Sequence, residues 1–279
     1  MSDNIEARRS WPAALPQLVD DLSRRWSLDV GRPFQSGVAS WVAPAGNTRG
    51  NRLVLKVAWP QEEALHEAEG LLAWQGEGTV RLHDTLVVGG TRAMLLEACE
   101  PGTMLSDRLP APQQDVVVAG LLRRLWVVPT VHHPFRPLRQ MCDLWADEFD
   151  DKYAHAHALH VDPGLARAGM ELFRELSRTA ETTLLLCTDL HAQNVLAATR
   201  EPWLVIDPKP YVGDPAYDAL QHMLNFPGRL LADAEGFCRR MAGLLELDPK
   251  RLRQWLFARC VRESVDQPEL GRVARDLAP

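Results

Sequence analysis

Residues 189–207 read DLHAQNVLAATREPWLVID, and this stretch says more about the fold than any other. It begins with an aspartate, has an asparagine five residues later, and ends on a second aspartate thirteen residues beyond that. ATP-dependent phosphoryl transfer needs a carboxylate that orients and deprotonates the attacking hydroxyl, and Mg²⁺ held by an amide oxygen and a second carboxylate. Kinase catalytic loops have this order of residues, with the last aspartate after a strand. The spacing therefore predicts Asp189 as the catalytic base, and Asn194 and Asp207 as Mg²⁺ ligands.

An isolated Asp-Leu pair is commonly a loop aspartate that caps a turn. That alternative does not account for Asn194 and Asp207 at matched spacing. His191 lies inside the loop, where we expect it to hold the backbone by a hydrogen bond and to transfer no proton. A metal-ligand role for His191 is disfavoured, because no second histidine or cysteine lies at ligand spacing.

The composition is that of an ordinary globular protein. The 279 residues, 46% of them hydrophobic and 24% charged, allow one or two domains with a sizeable core. The formal charge of −6 disfavours a nucleic-acid binder, whose phosphate contacts require a basic face. An acidic protein suits a cationic substrate better, so we expect a small cationic acceptor as the partner.

The sequence also carries signals about location. The start MSDNIEARRSWPAALPQ lacks the long apolar core of a signal peptide, and no apolar run approaches the roughly 20 residues that span a bilayer. The five cysteines are scattered and never in C-x-x-C spacing, which disfavours a disulfide framework and a zinc site. We expect a cytoplasmic monomer that does not bind membranes.

The chain divides into a β-rich part and a helical part. Residues 12–28 place apolar side chains at helical spacing and predict a leading helix. Residues 30–100 read as short strands broken by glycine turns, with one helical interval at 61–75, which suits a small α+β lobe. Beyond them the pattern is helical, and the strong β signals TLLLC and WLVID bracket the catalytic loop. We predict an amino-terminal lobe over 1–97, then a hinge and a helical lobe over 98–279.

Lys56 lies in the middle of the predicted strand RLVLKVAW. Taken alone, a solvated lysine on a polar strand face is the favoured interpretation. A glutamate on the next helix reverses that preference, because kinases pair such a lysine with a helix glutamate. Glu67 has Leu71 and Trp74 following it on an apolar face, and Glu63, one turn earlier, is its rival. We predict that Lys56 contacts the nucleotide phosphates and pairs with Glu67.

Two further segments are candidates for binding ATP or GTP. FQSGVASWV contains only Gly37 where a phosphate-covering loop has several glycines. Backbone N–H groups with Ser36 or Ser40 would cap the phosphates, and a plain hairpin turn fits the segment equally well. In MLLEACEPG a strand leads into a Pro-Gly bend, where the backbone of Glu97 and Cys99 would meet the nucleotide base.

The chain after Asp207 is short and stiff. It reads PKPYVGDPAYD, and only six residues separate Asp207 from Asp214. Prolines at positions 208 and 210 restrict the backbone. A protein kinase has a mobile D-F-G and a much longer activation segment here. Because this leaves no room for a peptide-docking platform, the sequence predicts a small-molecule substrate.

WLVIDPKPYVGDPAYD, together with CTDLHAQNVLAA, resembles the aminoglycoside O-phosphotransferase family, in the branch of streptomycin 6-phosphotransferases and hydroxyurea phosphotransferases. RGNRLVLKVAWPQEEALHEAEGLLAWQGEGTVRL and MLLEACEPGTML are similar to the same branch, so the resemblance covers most of the chain. The I-D-P…V-G-D-P-x-x-D string is specific, whereas D-L-H-x-x-N occurs in many small-molecule kinases. The resemblance implies a bilobal protein-kinase-like fold that uses Mg²⁺ and ATP, with a small β-rich lobe and a larger helical one.

The same resemblance assigns roles by position. It implies that Asp189 is the base, that Asn194 and Asp207 bind the metal, and that Lys56 holds the phosphates. Asp214 would brace the catalytic loop rather than touch substrate. One departure stands beside these matches, since the family often has His-Gly or His-Trp where this chain has Cys-Thr at positions 187 and 188.

The acceptor site is predicted on the stretch MCDLWADEFDDKY. Its acidic side chains share one helical face, and guanidinium groups of streptomycin-like substrates pair well with carboxylates. The acidic candidates are Asp143, Asp147, Asp150, Asp151 and, farther along, Asp218, Asp233 and Glu235. The alternative is a solvated helix surface.

Three functions remain open from the sequence. The first is an antibiotic kinase that phosphorylates a hydroxyl of a cationic aminoglycoside such as streptomycin. The second is a kinase for another small acceptor, namely hydroxyurea, a basic peptide antibiotic or a metabolite. The third is a non-catalytic nucleotide-binding protein of kinase fold, which the complete set of Lys56, Asp189, Asn194 and Asp207 disfavours.

Overall fold

The computed structural model describes residues 2–34, 40–59, 65–155 and 160–279. Within its first helix it describes the side chains of Trp11 and of the residues from position 13 onward. The described chain forms a β-rich amino-terminal lobe followed by a mainly helical carboxy-terminal lobe, which is the bilobal α+β architecture predicted from the sequence.

The amino-terminal lobe is an antiparallel sheet with helices beside it. Its elements are α1 (Ser2–Trp26), β1 (Leu28–Val30), β2 (Ser40–Asn47), β3 (Arg52–Ala58), α2 (Glu67–Trp74), β4 (Leu82–Val88) and β5 (Thr91–Glu97). The strand order is β1-β2-β3-β5-β4, so β3 is central. Helix α1 packs on the sheet through Leu15, Leu18 and the buried Leu22, at the helical spacing expected of an amphipathic helix. Strand β1 was not predicted, because three residues are too few to show alternation.

The carboxy-terminal lobe is built mainly from helices. Its helices are α3 (Leu105–Arg108), α4 (Ala111–Leu125), α5 (Leu138–His155), α6 (Pro163–Leu176), α7 (Pro215–Asp218), α8 (Leu220–Leu224), α9 (Pro227–Leu245), α10 (Pro249–Glu263) and α11 (Pro268–Asp276). Three of them begin at an Asp-Pro pair, in which the aspartate accepts backbone N–H bonds and proline takes the first helical position. No helix in the described ranges is long and apolar enough to cross a membrane.

Short strands carry the catalytic loop of this lobe. They are β6 (Arg136–Pro137), β7 (Leu184–Leu186), β8 (Val195–Ala197), β9 (Trp203–Val205) and β10 (Tyr211–Gly213). β10 lies between β6 and β7, while β8 and β9 form a separate antiparallel pair. A 3-10 turn, Ala192–Asn194, precedes β8. The loop after β7 and the chain after β9 therefore enter the same region.

The two lobes share a core beside the hinge. Leu71 and Met94 of the first lobe pack with Leu204 of the second in one buried cluster. The chain near Thr79 also pairs with Val205 as a parallel β-bridge. The lobes are thus joined by packing and backbone hydrogen bonds as well as by the connecting segment.

Candidate functional site

The catalytic loop places Asp189 at the mouth of a cavity in the carboxy-terminal lobe. Strand β7 is buried, and the chain turns directly after it, where the Asp189 N–H donates to the Cys187 carbonyl at 2.8 Å. The Asn194 amide nitrogen donates to the Asp189 carbonyl at 3.0 Å and closes the loop. The Asp189 side chain keeps 28% of its surface exposed, so its carboxylate is accessible to a substrate.

The β8–β9 hairpin brings the two predicted metal ligands together. The Ile206 N–H donates to the Asn194 carbonyl at 2.9 Å, which places Asp207 beside the 3-10 turn. The Asn194 amide nitrogen is used within the loop, which leaves its oxygen as the atom that would bind a metal. No cluster of three or more His, Cys, Asp or Glu side chains that could hold a metal occurs in the described ranges. One amide and one carboxylate fit Mg²⁺, which is bound by few protein groups together with substrate phosphates.

Lys56 and Glu67 form the predicted ion pair between β3 and α2. The Lys56 ammonium lies 2.7 Å from each carboxylate oxygen of Glu67 and 2.6 Å from Oδ1 of Asp207. Both members of the pair are buried, with side-chain exposures of 7% and 1%. Burial raises the pKa of Glu67, and the Lys56 ammonium opposes that shift. The rival, Glu63, lies outside the described residues.

A second lysine, which the sequence analysis did not identify, lies at the same carboxylate. The Lys209 ammonium is 2.8 Å from Oδ1 of Asp207 and 3.8 Å from Oδ2 of Asp189. Burial opposes the charge of Lys209, but the carboxylates of Asp207 and Glu67 outweigh it and raise the pKa of this lysine. The signal in the sequence is P-K-P directly after Asp207, since two prolines fix the backbone that carries the lysine.

Asp218 braces the catalytic loop, and this corrects its prediction as an acceptor-binding residue. Its carboxylate is fully buried and accepts hydrogen bonds from the backbone N–H groups of Cys187 and Thr188 at 2.9 and 2.5 Å, and from the Trp126 indole. Burial raises the pKa of Asp218 to about 6, against the effect of these donors. No face of this carboxylate remains for a substrate.

Asp214 performs a different structural task from the bracing of the loop that the resemblance implied. It caps α7 by accepting from the Ala216 N–H at 2.9 Å, and it accepts from Arg251 and Trp255 of α10 at 2.5 and 2.6 Å. Asp214 therefore ties α7 to α10, while Asp218, one turn later, holds the loop. The sequence alone cannot divide these tasks between two aspartates four residues apart.

The Cys-Thr departure is accommodated by an unusual backbone. Thr188 has φ +50°, a left-handed conformation that a β-branched residue rarely adopts. Two contacts hold it there, namely its N–H to Asp218 and its hydroxyl to the Lys209 carbonyl at 2.6 Å. The cost of this conformation is of the order of 1–3 kcal/mol and is offset by these fixed partners.

The predicted hydrogen bond of His191 to the loop is not made through Nδ1, and a bond through Nε2 stays a prediction. The Nδ1 nitrogen is buried and has no hydrogen-bond partner within the described residues. Burial, and then the nearby His222, lower the pKa of His191 to about 4. The ring is therefore neutral at physiological pH.

The acidic face of α5 forms ion pairs with arginines of α6 and of the turn after it, which corrects the predicted acceptor site. Asp147 and Asp150 pair with Arg174 of α6 at 2.7 and 3.0 Å. Asp143 pairs with Arg178 at 2.7 Å, and the Asp151 residue is exposed. The more distant candidates are also engaged elsewhere: Asp233 accepts from the Gly236 N–H and Glu235 pairs with Arg253.

The other face of α5 lines the cavity at Asp189. This cavity has a volume of about 190 Å³. It is lined by Met141, Trp145, Thr188, Asp189, Lys209, Tyr211, Tyr217, Gln221 and Arg259. Arg259 is held by the Glu263 carboxylate at 2.7 Å and by the Tyr217 hydroxyl at 2.5 Å, and its guanidinium lies 4.5 Å from the centre of the Trp145 ring. Aromatic rings and hydrogen-bonding groups therefore form the walls.

The predicted nucleotide contacts at the hinge and loop are only partly described. Ser36 and Gly37 lie outside the described residues. The Glu97 N–H donates to the Arg81 carbonyl at 2.9 Å and its carboxylate pairs with Arg200, so neither group is directed to a nucleotide. Cys99 is partly buried, and burial raises the pKa of its thiol to about 12. Contacts of the Glu97 carbonyl and the Cys99 backbone with a nucleotide base stay a prediction.

Comparison with known proteins places this chain in a family. The profile of the aminoglycoside/hydroxyurea antibiotic resistance kinases matches residues 25–271. A streptomycin 6-kinase of Streptomyces glaucescens is 36% identical over 98% of this chain and 89% of its own length. A hydroxyurea phosphotransferase of Kitasatospora aureofaciens is 35% identical over 96% of this chain and 77% of its own.

Solved structures agree on the fold. A thermostable mutant of aminoglycoside phosphotransferase APH(4)-Ia superposes with a TM-score of 0.60 at 16% identity, covering 92% of this chain and 98% of its own. The structure of aminoglycoside phosphotransferase APH(3'')-Id from Streptomyces rimosus in complex with ADP and streptomycin superposes with a TM-score of 0.59 at 18% identity. The match covers 92% of this chain and 98% of that one. The chain belongs to the aminoglycoside/hydroxyurea antibiotic resistance kinase family.

Proposed function

We propose that this phosphotransferase moves the γ-phosphate of ATP, or of GTP, to a hydroxyl of a streptomycin-like aminoglycoside. The observation that carries the proposal is the meeting of Lys56, Asp207 and Lys209 beside Asp189, at the mouth of a cavity with aromatic walls. Streptomycin is the substrate named for relatives that are 36% identical over nearly the whole chain.

In the proposed mechanism the protein groups position the nucleotide and deprotonate the acceptor hydroxyl. Asp189 accepts the proton of the acceptor hydroxyl. Lys56, fixed by Glu67, holds the nucleotide phosphates. Asn194 and Asp207 would hold Mg²⁺, which neutralises charge on the phosphates when bound.

The cavity walls support a ring-shaped polar acceptor. Trp145, Tyr211 and Tyr217 offer aromatic surface, and Gln221 offers both a donor and an acceptor. This contact chemistry suits a hydroxylated ring better than an extended peptide. The acidic surface of α5 is not needed for it.

Hydroxyurea is a second candidate acceptor, favoured by the size of the cavity. Its volume of about 190 Å³ is below the roughly 300–1,000 Å³ of sites for drug-sized ligands. A relative named for hydroxyurea is 35% identical. A small neutral acceptor would fit into the space without any acidic partner.

ADP release measured across streptomycin, other aminoglycosides, basic peptide antibiotics and hydroxyurea tests the proposal. We expect release with streptomycin, absent in the Asp189→Ala variant, and phosphate on one hydroxyl by product NMR. Release with hydroxyurea alone would replace the first candidate by the second. Absence of release with every member of the panel would contradict both.

We also propose that the protein is a cytoplasmic monomer. The cytoplasm supplies nucleotide, and a reducing compartment suits the free cysteines, of which four are buried and Cys99 is partly buried. Cell fractionation tests the location, and size-exclusion chromatography with light scattering tests the monomeric state. A dimer at micromolar concentration would contradict the second.

A further inference from the structure

Lys209 is placed between the two carboxylates that flank the reaction. Its ammonium lies 2.8 Å from Oδ1 of Asp207, the group proposed for the metal, and 3.8 Å from Oδ2 of Asp189, the proposed base. The phosphoryl group leaves a nucleotide held near Asp207 and joins a hydroxyl held by Asp189. An ammonium that reaches both carboxylates therefore lies beside the path of transfer.

The backbone of Lys209 is restricted on both sides. Pro208 and Pro210 restrict the neighbouring dihedral angles. The Lys209 N–H donates to the Cys187 carbonyl at 2.9 Å, and its carbonyl accepts from the Thr188 hydroxyl at 2.6 Å. These bonds attach the lysine to the catalytic loop itself, and its ammonium forms part of the wall of the acceptor cavity.

Lys56 and Lys209 differ in their surroundings. Lys56 comes from the sheet of the amino-terminal lobe and is held by both oxygens of Glu67. Lys209 comes from the other lobe, and its contacts are with Asp207 and Asp189. Both ammonium groups contact Oδ1 of Asp207, but that of Lys56 is tied to the buried Glu67, whereas that of Lys209 lies 3.8 Å from Asp189.

We propose that Lys209 is a catalytic residue that binds the transferred phosphoryl group and stabilises its charge in the transition state. The inference rests on the proposed phosphotransferase function. In the step, Asp189 takes the hydroxyl proton and the hydroxyl oxygen forms a bond to the γ-phosphorus. The bond from this phosphorus to the bridging oxygen breaks, and ADP keeps the electron pair. Lys209 retains its protons throughout and contributes positive charge.

The test compares Lys209→Met and Lys209→Arg with wild type, and uses Lys152→Met as the matched control. Lys152 forms an exposed ion pair with Asp266 at 2.6 Å, away from the cavity. Each protein is assayed for basal ATP hydrolysis, acceptor-dependent ADP release, and affinity for ADP with and without aluminium fluoride. ADP with aluminium fluoride mimics the phosphoryl group in transfer, so its binding reports transition-state contacts.

We expect Lys209→Met to lower kcat about 100-fold and to weaken binding of ADP–aluminium fluoride by a similar factor. Binding of ADP alone should stay within about threefold, which also shows that the variant is folded. Lys209→Arg, which keeps the charge, should recover at least about tenfold of the loss. Lys152→Met should match wild type.

Three results would overturn the role of Lys209. They are a kcat for Lys209→Met within about threefold of wild type, an equal loss of ADP and ADP–aluminium fluoride binding, and no recovery in Lys209→Arg. The binding measurements need no acceptor. They therefore decide the role of Lys209 even if no antibiotic of the panel is phosphorylated, which is the outcome that contradicts the proposed function instead.

Discussion

The main chain around Asp189 is held by the side chains of Asn194 and Asp218. Asn194 closes the loop, and the buried Asp218 carboxylate binds the backbone N–H groups that precede Asp189. The Asp189 side chain then lines the cavity. Beside it, burial alone would raise the pKa of Asp207, but Lys56 and Lys209 outweigh burial and lower it. Asp207 is therefore ionised at neutral pH and can act as a metal ligand.

Replacing Asp189 by alanine should abolish most of the transfer. We expect a fall in kcat of about 100- to 10,000-fold, because no group would accept the hydroxyl proton. ATP binding should persist, since Lys56 and Asp207 are untouched. Asp147→Ala is the control, as it removes an exposed carboxylate of α5 that pairs with Arg174. Near-normal turnover of Asp189→Ala in an ADP-release assay would refute the assignment of the base.

His191 should make stability depend on pH. Its pKa is about 4 in the folded protein, below the 6.5 of the unfolded chain, so the unfolded state binds the extra proton first as pH falls. Stability should be full above pH 7 and should fall by about 2 kcal/mol near pH 5 from this residue alone. His191→Gln should lose that part of the pH dependence in denaturant titrations, whereas His83→Gln, at an exposed position, should keep it. An unchanged pH profile in His191→Gln would contradict the expectation.

Among the helices and strands, the sequence pattern predicted the loop and hairpin that carry Asp189, Asn194 and Asp207. It did not predict which side chains pair with the helices around them. The spacing of Asp189, Asn194 and Asp207 is local, so the loop and hairpin could be predicted from it. The partners of α5 could not, because Arg174 and Arg178 lie on another helix and the pattern shows only that α5 has two faces. A helical pattern identifies the apolar face and leaves open what covers the acidic one.

The tasks of the short helix α7 show the same limit. The capping Asp214 and the last residue, Asp218, belong to one D-P-x-x-D pattern, yet which carboxylate meets the catalytic loop depends on how α7 packs. Lys209 was missed because a lysine between prolines in a turn has the pattern of a surface residue. Only the folded structure shows that the Lys209 ammonium lies 2.8 Å from Oδ1 of Asp207.

Removing the Asp218 carboxylate should destabilise the loop more than any surface change. Asp218→Ala leaves the N–H groups of Cys187 and Thr188 and the Trp126 indole without their acceptor. Because these donors are buried, we expect a loss of about 3 kcal/mol in the free energy of unfolding, together with lower kcat. Asp147→Ala should change stability by less than about 0.5 kcal/mol. Equal stability of the two variants in denaturant titrations would contradict the bracing role.

At the scale of the whole molecule, Arg200 links the two lobes. It lies between β8 and β9, and its guanidinium binds both carboxylate oxygens of Glu97 at 2.9 Å. It also donates to the carbonyls of Gly76 and Thr79 at 2.8 Å. Only six residues separate Asp207 from Asp214, so this stretch has no room for a long activation segment.

Arg200→Ala should loosen this link. We expect a loss of about 2 kcal/mol in the free energy of unfolding, since several charge-assisted hydrogen bonds disappear together. The KM for ATP should rise several-fold, because the amino-terminal lobe would no longer be held over the site. Arg24→Ala is the control, since that arginine pairs with Asp21 at the exposed surface. Unchanged stability and KM would show that the shared core alone fixes the lobes.

The two ammonium groups on Asp207 also have a consequence for the order in which we expect the site to be filled. A free divalent cation would meet a carboxylate whose charge is already balanced at Oδ1 by Lys56 and Lys209. Nucleotide phosphates would give both lysines new anionic partners and leave the carboxylate to the cation. We therefore expect Mg²⁺ to enter together with its nucleotide rather than ahead of it.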